Sequence, residues 1–208
     1  MAQGKTWRKG ARWTVILMLL AAVIAILTFP MRVAIAWAGL DQGPMTMRGV
    51  AGSIWDGTLY SAKLGPIELG DVKASLQPWP LLSGQSRLSL TFGGGAQGDQ
   101  GAKGRAVLIR SAKGFGITDM SGRVPVGGWL APLPAPVADF EGFGVRFLNG
   151  RCAEASGLVK LQMPSPLPGL NLSNGLTAAP RCSGDRVLIP FKGQSGMEQV
   201  NFYVAADG

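Results

Sequence analysis

Two hydropathy patterns divide the chain, and the boundary between them falls near residue 40. From Trp13 to Phe29 (WTVILMLLAAVIAILTF) seventeen uncharged residues run with no polar face, preceded by Lys5, Arg8, Lys9 and Arg12, and no acid appears until Asp41. As a helix this run is roughly 26 Å long, just under the hydrocarbon thickness of a bilayer. Pro30 and Arg32 interrupt it, and Val33 to Leu40 resumes the apolar run. With Trp13 and Trp37 as the interfacial rings, the pattern predicts a transmembrane anchor over 13–37 behind a basic tail at 1–12. Because the basic flank stays inside, the tail is expected in the cytoplasm and residues 38–208 beyond the membrane. The competing reading is a cleaved signal peptide, since Ala34-Ile-Ala36 and Ala36-Trp-Ala38 both fit a cleavage site. A run of this length exceeds the usual ~7–15 residues of a signal core, which favours a retained anchor.

After residue 40 the period changes to two. Val72, Ala74 and Leu76 alternate with Lys73, Ser75 and Gln77, and Leu88, Leu90 and Phe92 alternate with Arg87, Ser89 and Thr91. Each set predicts a half-buried strand. The prolines between them, Pro78 and Pro80, lack the donors a central strand needs, so 77–84 is a connection and the two strands form an antiparallel pair. Further strands are predicted at 105–110, 115–120, 157–163, 186–191 and 199–205. Residues 93–104 (GGGAQGDQGAKG) match neither phosphate-loop spacing and are followed by no amphipathic helix, so they read as a hairpin tip. Pro134, Pro136, Gly142 and Gly144 rule out a helix over 133–148. Two proline clusters, Pro132/Pro134/Pro136 and Pro164/Pro166/Pro168, each lead to an Arg-Cys pair; rigid loop ends or a two-copy repeat of about thirty residues both fit. The expected fold is mainly β: one transmembrane helix, then a curved antiparallel sheet or partly closed barrel at 38–208.

Charge sharpens this picture. The formal charge of the 208 residues is +8, but five of the 20 basic residues precede residue 33, leaving fifteen against 12 acids. The basic balance is thus largely a topology signal, and no clustered basic face with interleaved aromatics points to nucleic acid. Thirty-one glycines and 14 prolines suit short strands and many turns.

The chain has no histidine, which removes Ser-His-Asp and Cys-His nucleophilic arrangements and nearly all transition-metal sites. Asp139 and Glu141 would share a face of an extended segment, as a carboxylate pair would need, but solvated loop acids are the commoner case. Asn171-Leu-Ser173 is a formal glycosylation sequon that nothing else in the sequence supports. Cys152 and Cys182, if outside the cytoplasm, most simply form one disulfide; a metal or redox pair lacks supporting ligands. No catalytic, cofactor or metal site is expected, and the chain reads as a non-enzyme.

The most distinctive segment of the body is Gly49-Val-Ala-Gly-Ser-Ile-Trp-Asp-Gly-Thr-Leu59. Its glycines permit tight turns or bulges, and Trp55 supplies a ring that must be packed or held in an interface. Gly52-Ser-Ile-Trp55-Asp-Gly57, then a strand, then Trp79-Pro-Leu81-Leu82-Ser-Gly84, set behind an N-terminal anchor, resembles the type II secretion system protein N family, the general secretion pathway N proteins. That resemblance implies an inner-membrane accessory or assembly component of the machine exporting folded proteins across the outer membrane, with no active site to carry over. Its partners would be other secretion components of the inner membrane and periplasm, and membrane lipid. The strand, turn and Leu-Leu pattern also looks like AsmA-like periplasmic proteins, whose curved sheets present an apolar groove to lipid. On that alternative, a lipid-binding or lipid-transfer protein, the apolar faces of Val72 to Leu76 and Leu88 to Phe92 should line such a groove. On the secretion reading, Trp55, Trp79 and Trp129 should be core or partner contacts.

Overall fold

A computed structural model of the chain describes residues 4–37, 45–94, 101–127, 137–162, 175–193 and 199–206. Helices α1 (Gly4–Leu27) and α2 (Met31–Trp37) come first. Among the described residues the strands are β1 (Met45–Thr46), β2 (Gly49–Gly52), β3 (Gly57–Leu64), β4 (Ile67–Leu76), β5 (Gln85–Gly94), β6 (Lys103–Ser111), β7 (Gly114–Pro125), β8 (Val137–Leu148), β9 (Arg151–Gln162), β10 (Leu176–Ala178), β11 (Arg181–Ser183), β12 (Arg186–Lys192) and β13 (Gln199–Val204). A single helical turn, α3 (Pro78–Leu81), joins β4 to β5.

All the strands belong to one antiparallel sheet. From β3 to β9 each strand pairs with the next; β10 and β11 share the place between β9 and β12, and β13 pairs β12. The sheet is open and curved, with β1 and β2 along one edge of β3 and β13 at the other. The predicted pair holds in register: Val72 faces Phe92, Ala74 faces Leu90 and Leu76 faces Leu88. The tip at 95–100 and both proline clusters lie outside the described residues.

Strand β8 is the longest of the elements that the periodicity did not yield, β1, β2, β10 and β11 being among the others. Its Gly142 takes a left-handed φ of 58°, and the register with β9 slips between Glu141 and Gly144. The glycine that rules out a helix therefore serves a bulge inside a strand. Similar slips accompany Ser61 (φ 49°) in β3 and Asp119 (φ 53°) in β7. The Ser61 amide donates to Asp71 Oδ1 at 3.0 Å, which holds its bulge in place. Bulges bend a strand and raise its twist, and this series curls the sheet around an apolar interior.

Because the chain runs back and forth, the sheet has two ends. Gly57, Leu76, Gln85, Ser111, Gly114, Leu148, Arg151, Cys182, Arg186 and Val204 all lie at the end where α1 joins, the proximal end. The interior is packed distally and along the β3–β4 edge. One cluster joins Leu59, Ala62, Ile67, Val72, Ala74, Phe92 and Val124; a second joins Ala138, Val159, Leu161, Leu176 and Phe191, and Val126 and Phe140 touch both.

The expected anchor over 13–37 is not one continuous helix. No helix among the described residues is long and apolar enough to cross a membrane. The apolar run is broken at Thr28–Pro30, where proline lacks an N–H and pushes the preceding residue out of the helical region. Beyond the break α2 does not extend α1: Met31 and Ile35, one turn apart on α2, are buried in the first core cluster. The residues of α1 from Trp13 to Leu27 are exposed, from 50% at Val23 to 78% at Met18.

Candidate functional site

The Gly52–Gly57 segment is where the helices meet the sheet. Gly52, at φ 89°, ends β2 in a conformation that L side chains rarely adopt, and an added Cβ would lie 2.3 Å from the Asp56 carbonyl oxygen. Ser53 then folds the turn: its Oγ accepts from the Trp55 and Asp56 amides at 3.3 and 3.4 Å, and its own amide donates to the Asp56 carbonyl. The turn presents two donors to the end of the helical segment. Trp55 Nε1 donates to the Ile26 carbonyl of α1 at 2.9 Å, and the Ile54 amide donates to the Phe29 carbonyl at 3.1 Å. The Ile26 carbonyl also accepts from the Phe29 amide at 3.4 Å as the helix ends, and the added long-range donor ties α1 to the body. Gly57 begins β3 beneath α2, and a Cβ at that position would meet Met31 Sδ at 2.0 Å. Gly52, Trp55 and Gly57 together make a clasp between helix and sheet.

The second half of the motif sits beside the clasp. The Leu76 amide donates to the Ile54 carbonyl at 3.0 Å, so the chain leaving β4 is fastened to the same turn. Pro78 and Pro80 then drive the single turn of α3, closed by amides of Leu82, Ser83 and Gly84 donating to the Trp79, Pro80 and Leu81 carbonyls. This turn stands away from the body. Trp79 is 80% exposed and Leu82 83%, with Leu81 also exposed. Trp79 is therefore not a core residue; Trp129 lies outside the described residues.

Next to α3 the sheet interior opens into an apolar groove of about 660 Å³. Leu76 of β4 and Leu88 of β5 line it, as the alternation of those strands anticipates. Val72, Ala74 and Phe92 do not: they lie farther along the same faces, buried in the packed core. Much of the remaining wall comes from Leu108, Ile117, Val145, Phe147, Val187 and Ile189 on β6, β7, β8 and β12. Periodicity in β6, β7 and β12 could have found their inward faces, but not that β12 shares one groove with β4 to β8. Ser86, Arg110, Phe115 and Val204 bring the groove to the proximal rim.

The candidate acids and cysteines fall elsewhere. Asp139 and Glu141 lie on the opposite face of β8 from buried Ala138, and each meets a cation of a neighbouring strand: Arg123 Nε at 3.0 Å from Asp139, Lys160 Nζ at 2.6 Å from Glu141. These charges pair along the register Arg123–Asp139–Lys160 and line, with Lys103, Phe140 and Gln162, an open surface cleft of about 680 Å³. Cys152 and Cys182 form a disulfide with Cα atoms 5.5 Å apart. It ties the start of β9 to β11 at the proximal end, where the Cys152 amide also donates to the Asp185 carbonyl at 3.1 Å. Among the described residues no group of histidine, cysteine, aspartate or glutamate side chains could hold a metal.

Comparison with known proteins decides the family. The family model for type II secretion system (T2SS), protein N matches residues 43–206, which takes in both halves of the motif, the groove and both cysteines. The chain belongs to the type II secretion system protein N family. Membership makes it a component of type II secretion that acts with others of that system. No curated protein and no solved structure matches it.

Proposed function

We propose that this type II secretion protein N is a non-catalytic accessory or assembly component held at the bacterial inner membrane by α1. Its N-terminus is cytoplasmic and its β body periplasmic, where the body serves protein export across the outer membrane. The observation that carries the membrane part is α1 itself: fifteen residues from Trp13 to Leu27 are exposed, apolar on every side, and clasped to the body at the Ile26 end. A helix apolar all round is covered by protein core or by lipid, and nothing else in the described chain covers this one. The basic residues before it set the orientation. A reporter fused after Gly208 is expected to be active only outside the cytoplasm, and the body to co-purify with other secretion components; a reporter active only in the cytoplasm overturns the reading.

The groove supports a second reading, periplasmic lipid binding of the AsmA-like kind. Its volume lies within the ~300–1,000 Å³ typical of small-molecule sites, and its walls are apolar. The full chain, stripped of detergent, is expected to retain lipid in native mass spectrometry; a chain that carries none loses this reading.

A further inference from the structure

From the structure we infer that the proximal rim is a loading portal at which an anionic phospholipid passes an acyl chain into the groove while its phosphate stays with Arg110. The inference rests on the lipid-binding reading and adds the ligand, the entry point and the residues that select it.

Three observations converge on that end. First, the two core clusters meet at Val126 and Phe140, neither of which lines the groove, whereas Ser86, Arg110, Phe115 and Val204 carry the groove to the proximal rim. Second, most exposed large apolar side chains of the described body lie there, Tyr60 and Val200 apart: Trp79 and Leu82 on α3, Phe115 and Leu148 at hairpin ends, and Tyr203 and Val204 at the end of β13. Exposed tryptophan and leucine at the end where an apolar helix joins the body suit the interfacial layer of a bilayer, which takes an amphipathic ring and a short apolar tip. Third, the rim is basic. Arg110, Lys113, Arg151 and Arg181 all stand at it, whereas the nearby Glu154 and Asp185 lie within reach of Arg146 and Arg186 at 3.2 and 4.0 Å. A surface of that sign is drawn to anionic lipid and repelled by cationic partners.

Arg110 occupies the decisive position. It lines the groove, it is exposed, and its cross-strand partners Ser86 and Phe115 are uncharged. A guanidinium at the mouth of an apolar slot matches a phosphate joined to an acyl chain: the fork binds the phosphate oxygens and the slot takes the hydrocarbon. A second copy of the chain would bring a like-charged rim against this one, and an apolar segment without an anion would leave Arg110 unused.

The test uses the full chain in nanodiscs of phosphatidylcholine with phosphatidylglycerol, each lipid supplied in turn with a photoreactive group near its acyl terminus. Cross-linked peptides are mapped by mass spectrometry, so lipid around α1 is distinguished from lipid in the groove. Phosphatidylglycerol is expected to label β8 at Val145 or β12 at Ile189, and phosphatidylcholine to label them less. Arg110→Gln should cut the preference about fivefold while leaving the total groove label in place. Trp79→Ser with Leu82→Ser should slow labelling of the groove without changing labelling of α1. Ile189→Trp, which fills the slot, should abolish groove labelling with near-native circular dichroism. Labelling confined to α1 for every lipid sinks the lipid-binding reading itself. Groove labelling that is equal for both head groups and unmoved by Arg110→Gln overturns the portal and its selectivity while that reading stands.

Discussion

The packed and the hollow parts of the sheet interior are built from the same strands and the same kinds of residue, yet only one of them is filled. In the packed part Phe191 meets Phe202 edge-on at 5.6 Å, and at its boundary with the groove Phe140 meets Phe143 edge-on at 5.4 Å. Small buried residues there, Ala62, Ala74, Ala106, Ala138 and Ala178, let the walls close on those larger side chains. In the hollow part Leu88, Leu108, Ile117, Val145 and Ile189 point inward as regularly, but the curled sheet holds its walls apart and they stay half-buried. An inward apolar position therefore says which face is the interior, not whether the interior is full.

The largest expected effect lies in the packed part. Phe191→Ala, which empties a position in the second core cluster, should lower unfolding stability by about 3–5 kcal/mol in chemical denaturation of the full chain in detergent. Phe115→Ala at the groove mouth, by contrast, should cost under about 1 kcal/mol; equal losses would erase the distinction between packed and hollow. Next comes the disulfide, which braces the hollow end beside buried Phe147 and Val187. Cys152→Ser should cost roughly 3–4 kcal/mol, with the wild type shifted to the same midpoint by reductant; an unmoved midpoint would mean the groove walls hold without it. The clasp is a smaller term. Trp55→Phe removes the Nε1 donor to Ile26 and should cost about 1 kcal/mol, seen as faster amide exchange at the end of α1 while β12 is unchanged. Smallest of all, Leu82→Ser on the exposed α3 turn should leave stability within about 0.5 kcal/mol, because that side chain packs on nothing in the body.

Much of the site is legible in the residues alone. The alternation in β4 and β5 yields the antiparallel pair, the cysteines their bond, and Gly52, Trp55 and Gly57 a tight turn with a ring to be satisfied. The partner of that ring is not legible: the Ile26 carbonyl lies 29 residues away, and a hydrogen bond across that separation leaves no trace in local pattern. The fate of Val33 to Leu40 is hidden for a related reason. An apolar stretch after a proline reads alike whether it continues into lipid or folds back, and only the β2–β3 edge awaiting Met31 and Ile35 decides between them.

The sequence by itself determined that the chain is an apolar N-terminal helix with a histidine-free β body, because hydropathy period and residue chemistry are local properties. Tertiary structure alone decided that the body curls into an open sheet with a hollow proximal end. Curvature came from bulges at Ser61, Asp119 and Gly142, and a bulge is a mismatch between two strands, so neither strand carries it alone.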